Sequence, residues 1–178
     1  MTCIKSIKSK LTKEQYQYLV NLESFINSKL SFYGSIERDD FFMGSSDLDI
    51  DIITPNMHNI LFKLRQYIGI PNNEVLHVKW TTNNPRPYTF ECLKIKHNNG
   101  IVNLEISIYD EKYRKNLEIV RNFKRTMLSP IMVFFLITIK ILYYKLNLLS
   151  NSQMKQIKRF VMNDLCGHKD EYMAVKNT

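Results

Sequence analysis

The chain has 178 residues, 44% of them hydrophobic, enough for one sizeable core and too few for two large independent domains. Lys and Arg number 25 against 17 Asp and Glu, and the net charge of +8 favours polyanionic partners such as nucleic acid or nucleotide triphosphates, the plain alternative being a merely soluble basic protein. Cys3, Cys92 and Cys166 are odd in number and irregular in spacing, which excludes a disulfide framework and fits a reducing, intracellular, cytoplasmic setting.

Met1 to Lys13 carries lysines with no apolar stretch behind them and does not read as a secretory signal. Thr12 with Gln15 three residues on predicts a capped helix to about Lys29, with Tyr16, Leu19, Val20, Phe25 and Ile26 as its apolar stripe. Phe32-Tyr33 reads as a short strand that turns at Gly34-Ser35 into a short helix. From Asp47 to Ile53 the chain alternates, Asp47, Asp49 and Asp51 against Leu48, Ile50 and Ile52, which predicts a half-buried strand. Pro55 stops it, and Met57 to Ile68 has helical periodicity ended by Gly69 and Pro71.

Val75 to Trp80 is expected to be a strand. Phe90 to Lys96 and Ile101 to Tyr109 are two more, joined by His97-Asn98-Asn99-Gly100, whose Asn-Gly marks an antiparallel hairpin. Glu105 falls on the polar face of its strand. After Asp110 the pattern reads as helices at 111–125, 129–149 and 151–165, followed by a polar tail. Pro130 to Leu149 is apolar, but Lys140 and Lys145 interrupt it, so a buried helix is expected there and no membrane span. The predicted architecture is α/β (α+β): a small mixed sheet with helices at 1–110, then a short helical lobe at 111–178.

Carboxylates at i and i+2 of a strand share a face, about 6.5–7 Å apart at Cα, so their oxygens can converge on shared metal ions. A third carboxylate on a neighbouring strand would complete a cage of the kind two-metal phosphoryl chemistry requires. Asp47, Asp49 and Glu105 are the candidates.

In combination, Gly34-Ser35, then Gly44-Ser45-Ser46-Asp47-Leu48-Asp49, then Leu104-Glu105-Ile106 resembles the motif set of the DNA-polymerase-β-like nucleotidyltransferase superfamily. The resemblance covers about Leu30 to Leu149. It implies that Gly34 and Ser35 hold the terminal phosphates of a nucleoside triphosphate, and that Asp47, Asp49 and Glu105 bind two Mg²⁺ or Mn²⁺ ions, Glu105 also assisting the attacking hydroxyl. The helix from Ser129 to Leu149 resembles the second-lobe helix of poly(A)-polymerase-like and terminal-uridylyltransferase-like members, which implies that Lys140 contacts the triphosphate. The implied reaction transfers a nucleoside monophosphate to a hydroxyl, expected on an RNA or oligonucleotide end. Transfer to a protein or a small molecule is the competing activity, and a catalytically silent nucleotide-binding scaffold the competing class.

The sequence departs from that pattern at Asp39-Asp40, acid where relatives carry small or basic residues, and in the shortness of the helical part. Asp51 extends the acidic face and makes Asp49/Asp51 an alternative pair, although Asp51→Asn is expected to cost much less than Asp47→Asn or Asp49→Asn. Lys155, Lys158 and Arg159 share a helical face, either solvated or tracking a nucleic-acid backbone. Trp80, Tyr88 and Phe90 are expected in the core rather than under a base, and the histidines, including Cys166-Gly167-His168, show no zinc spacing.

Overall fold

A computed structural model describes residues 2–69, 71, 74–162 and 170–175. Its centre is a six-stranded mixed sheet of order β1-β2-β5-β4-β3-β6. The strands are β1 (Ser31–Tyr33), β2 (Leu48–Thr54), β3 (Val75–Thr82), β4 (Tyr88–Asn98), β5 (Asn103–Asp110) and β6 (Asp170–Val175). The helices are α1 (Lys13–Ile26), α2 (Met57–Ile68), α3 (Arg114–Met127), α4 (Pro130–Tyr144) and α5 (Asn151–Phe160). The expected α+β class, a mixed sheet with helices, is the observed one.

The local signals act where the sequence puts them. Thr12 and Gln15 form a reciprocal capping box on α1. α2 occupies the predicted Met57–Ile68, capped by Asn56 and ended by Gly69 in the left-handed conformation that glycine tolerates. The β4–β5 hairpin closes through Asn99, whose side chain accepts from the backbone N–H of Ile101 and Val102, both at 3.0 Å.

Alternation on β2 decides which layer each residue meets. Leu48, Ile50 and Ile52 join Leu104, Ile106 and Ile108 of the parallel strand β5 in one core with Leu19, Leu22 and Ile26 of α1 and Ile60, Leu61 and Leu64 of α2. The opposite face carries a second, smaller core in which Trp80, Phe90, Cys92 and Tyr109 meet Leu117 and Val120 of α3. The carboxylates stand on this second face, beneath α3.

Two expectations need correction. The polar tail is a strand at its Asp170–Val175 part: it pairs antiparallel with β3, Trp80 opposite Tyr172. The predicted buried helix, α4, buries Leu136, Ile139 and Lys140 but leaves Ile131, Phe134 and Phe135 exposed, because α5 is its principal helical neighbour. Among the described residues no single helix is long and apolar enough to cross a membrane. A 3₁₀ turn at Ile4–Lys10, with Ile4 and Ile7 buried, was not foreseen at all. Cys166 and His168, and the end of the helix predicted at 151–165, lie outside the described residues.

Candidate active site

Strand register builds the site. Asp49 sits directly opposite Glu105 on the parallel pair β2–β5, and opposite Tyr33 on the antiparallel pair β1–β2. Asp47 lies one residue before β2 and is exposed, its carboxylate accepting from Asn103 Nδ2 at 2.5 Å. Gly34 follows β1 with φ +77°, and a Cβ placed on it would collide with Asp49 Oδ2. A glycine is therefore required twice over, for its backbone and for the carboxylate lodged against it. Ser35, buried, continues the turn that starts there, Gly34–Glu37.

The carboxylates stand in different electrostatic states. Asp49 has neither hydrogen bond nor ion pair among the described residues, and its pKa is pushed up to about 6, by burial first and then by the charge of Glu105, with Lys158 and Arg121 pulling the other way. Burial acts on Glu105 in the same sense but is outweighed: Lys94 at 2.5 Å and Lys96 at 2.8 Å each hold one of its oxygens, and its pKa falls below the usual range. As the side chains stand, no group of three Asp, Glu, His or Cys residues among those described converges as a metal cage. Sequence spacing foresaw the shared face but not the two ammonium groups on Glu105.

Asp51 is a different kind of residue from its two neighbours in the alternation. It is buried and takes a two-pronged contact from Arg121 of α3, Nε to Oδ2 at 2.8 Å and Nη2 to Oδ1 at 3.0 Å. The same guanidinium lies 3.6 Å from the centre of the Tyr33 ring. Asp51→Asn would leave Arg121 buried without its counter-charge, a cost to stability, separate from any effect on transfer, that the alternation of the sequence did not disclose.

Above the sheet face opens a cavity of about 610 Å³, lined by Gly34, Ser35, Asp49 and Glu105 but not by Asp47 or Lys140. Its charged lining is mostly cationic: Arg38, Lys94, Arg121, Lys124, Arg125, Lys158 and Arg159 against Glu37, Asp49, Glu105 and Asp170. Lys158 and Arg159 are two of the three flank residues singled out in the sequence; Lys155 is not in the wall. The α3 cations were missed because their apolar neighbours read only as helix periodicity.

Lys140 is held elsewhere. Its ammonium, almost fully buried, donates to the Asp40 backbone carbonyl at 2.6 Å and pairs with the Asp40 carboxylate at 3.1 Å. Arg38 shares that carboxylate at 2.7 Å. The acid at Asp39-Asp40 that departs from the motif thus serves, through Asp40, to bind α4 to the loop before β2. Trp80 and Phe90 stack on each other at 4.5 Å within the second core, as expected of core aromatics, although Trp80 also reaches the cavity wall.

No protein-family model matches the chain, and no curated protein matches it. Among solved structures, one described as "Structure of Cid1 in complex with its short product ApU" aligns over 80% of this chain and 46% of that one, with a TM-score of 0.39 and 13% sequence identity. This chain thus spans less than half of that structure's length.

Proposed function

We propose that the chain is a metal-dependent nucleotidyltransferase that moves a nucleoside monophosphate from a nucleoside triphosphate to a hydroxyl acceptor, an RNA or oligonucleotide end, and releases pyrophosphate. The observation that carries the reading is the lodging of Asp49 against Gly34, in register with Glu105, under a wall of Lys and Arg. A carboxylate with a raised pKa, unpaired among the described residues, beside a second carboxylate is an excess of negative charge, and a cationic wall alongside it suits the phosphates of a substrate.

The donor set fits Mg²⁺ or Mn²⁺ in kind. Asp47, Asp49 and Glu105 offer hard oxygens, Asp49 has no competing partner among the described residues, and Asn103 on Asp47 is neutral and easily exchanged. Two such ions would be held by these three residues and would supply charge stabilisation to the attacking and leaving oxygens. The chain's own contributions are distinct. Gly34 and Ser35 let backbone approach the terminal phosphates, Lys158 and Arg159 neutralise them from α5, and Glu105, once it releases Lys94 and Lys96, orients the acceptor hydroxyl.

One observation favours a second reading, nucleotide binding without transfer: both oxygens of Glu105 are already occupied by ammonium groups. A single assay separates the two. The protein is incubated with labelled triphosphates, Mg²⁺ or Mn²⁺, and RNA, DNA or no acceptor, alongside Asp47→Asn and Asp49→Asn. Metal-dependent product that both variants abolish supports transfer. Saturable nucleotide binding with no product in any condition supports the silent scaffold, and near-wild-type turnover in either variant removes the assigned site.

A further inference from the structure

The helices beyond α3 have a core of their own. Leu136 and Ile139 of α4 meet Val161, just past α5, apart from the two cores that flank the sheet. α4 is bent 85° from α3 across Leu128-Ser129, which is its covalent link to the rest of the fold. About 15 Å further along the helix, at 1.5 Å per residue from Pro130, Lys140 reaches back to the segment that precedes β2. Its ammonium meets the Asp40 carbonyl at 2.6 Å, the Asp40 carboxylate at 3.1 Å and the Ser46 hydroxyl at 3.5 Å. An ammonium has three N–H donors, so all three are engaged. Tyr144, one turn on, adds a ring contact with Phe42 of the same segment, centres 6.0 Å apart. Among the described residues no other side chain of α4 or α5 makes a hydrogen bond or ion pair to the rest of the fold.

Of the cations that line the cavity, those of β4, α3 and the turn after β1 each pair with a carboxylate. Lys158 and Arg159 of α5 pair with none among the described residues. These two can take an anionic ligand without giving up a partner, and their place depends on how α5 is held. We infer that Lys140 is a positioning residue: by latching α4 to segment 40–46 it fixes Lys158 and Arg159 above Asp49 and Glu105, where they meet the phosphates of a nucleotide. The inference rests on the proposal that the cavity binds a nucleotide and adds which residue sets its phosphate site. Held only at Leu128-Ser129, the helix pair would pivot, and the charges on α5 would have to be ordered anew for each ligand. A second point of support removes that freedom before binding. The segment that receives the latch runs directly into Asp47 and β2, so the cations above and the carboxylates below share one anchor. Direct contact of Lys140 with phosphate would require breaking its bonds to Asp40 and Ser46, and Lys140 does not line the cavity.

The test needs no turnover. Inorganic tripolyphosphate with Mg²⁺, and the four common nucleoside triphosphates with Ca²⁺, are titrated calorimetrically against the full chain. The forms compared are the wild type, Lys140→Met, Lys158→Met/Arg159→Met and the triple variant. Met keeps most of the stem volume and Asp40 keeps Arg38, so the fold should persist, which melting curves check. We expect Lys140→Met to weaken tripolyphosphate binding about tenfold in the wild-type background, the scale of a charge-assisted contact. Added to Lys158→Met/Arg159→Met it should change binding less than about twofold, because a residue that acts through those cations has nothing left to position. A residue that only stabilises the fold would leave the affinity of the folded protein unchanged in both backgrounds. Equal fold losses in the two backgrounds, no loss in either, or undiminished binding by Lys158→Met/Arg159→Met would each overturn the inference and leave the nucleotide reading standing. Should Lys140→Met fail to fold, Lys140→Gln, which retains a donor for the Asp40 carbonyl, enters the same cycle. Its loss should be at least about threefold and confined to the background that keeps Lys158 and Arg159. Absence of binding by tripolyphosphate and by every nucleoside triphosphate to the wild type would overturn both.

Discussion

The two faces of β2 receive the same strand and spend it differently. On one, Leu48, Ile50 and Ile52 are interchangeable in kind: each is buried among aliphatic neighbours from β5, α1 and α2. On the other, three aspartates at identical spacing meet three unlike environments. Asp47 is exposed and touched by an amide, Asp49 is lodged against Gly34 without a hydrogen-bond or ion-pair partner among the described residues, and Asp51 is sealed under Arg121. Alternation tells which side a residue faces, while what it meets there is set by distant segments. The apolar face needs only volume and shape; the acidic face needs a specific partner for each charge.

The largest expected break in this contrast is at Asp51. Arg121→Met should destabilise the fold by about 3–5 kcal/mol, the scale for stranding one member of a buried ion pair, as much as a large-to-small change such as Ile50→Ala on the opposite face, at about 2–5 kcal/mol. Urea denaturation of the two variants makes the comparison. A loss below about 0.5 kcal/mol for Arg121→Met, the range of ordinary surface changes, would mean that the acidic face is solvated throughout and that Asp51 differs from Asp47 only in name.

Asp49 should respond in the opposite direction. Its pKa rises from 3.8 to about 6 on folding, so the folded state binds the proton more tightly than the unfolded one. Stability from this group is therefore present at low pH and lost as pH climbs from about 4 through about 6. At pH 7, without divalent metal, Asp49→Asn should stabilise the chain by as much as about 2–3 kcal/mol, an upper figure for a shift of that size. Melting curves at pH 4 and pH 7 in chelator should show the gain at pH 7 only. A gain of equal size at both pH values would assign the effect to packing and not to charge.

Gly34→Ala probes the contact between the turn and the carboxylate. The positive φ costs about 1–2 kcal/mol for a residue with a Cβ, and that Cβ meets Asp49 Oδ2. Calorimetric titration of triphosphate should show weakened binding, and restoring space with Gly34→Ala/Asp49→Ala should recover part of the lost stability, beyond what Asp49→Ala alone adds to the wild type. No recovery in the double variant would make the cost purely one of backbone.

Local devices were legible in the sequence because they are written within a few residues: the Thr12–Gln15 box, the Asn99-Gly100 turn, the limits of α2 and the alternation of β2. The polar face of its strand on which Asp49 or Glu105 stands was legible as well, since period-two spacing fixes it, whereas the parallel pairing of β2 with β5 that sets the two opposite each other was not. What stayed hidden depends on contacts between residues far apart in the chain. Asp170–Val175 lacks the period-two alternation that would announce a strand, its two acids being followed by an unbroken apolar run, and it is one because the edge of β3 offers unpaired backbone groups. Lys140, a lone charge on an apolar helix, called for an anionic partner; that partner is Asp40, 100 residues away. The cations of the cavity wall come from β4, α3, α5 and the turn after β1, and no window of sequence holds them together.

The smallest expected effect concerns the basic flank, where the structure divides what the sequence grouped. Lys158 and Arg159 line the cavity beside Asp49, whereas Lys155 does not. If a single-stranded nucleic acid enters over α5, each phosphate contact contributes about 0.7 to the slope of log K against log salt. Lys158→Met/Arg159→Met should then lower that slope by about 1.4, and Lys155→Met should leave it within error. Because Lys158 also lowers the pKa of Asp49, the double variant should raise the pH at which Asp49 ionises, which a merely solvated helical face would not do. Binding of a labelled oligonucleotide is measured over a salt series for all three forms, with the pH dependence of stability recorded in parallel. Equal slope changes for Lys155→Met and for either cavity cation would return the flank to one undivided electrostatic surface, with the strand passing over the outside of α5 and not into the cavity.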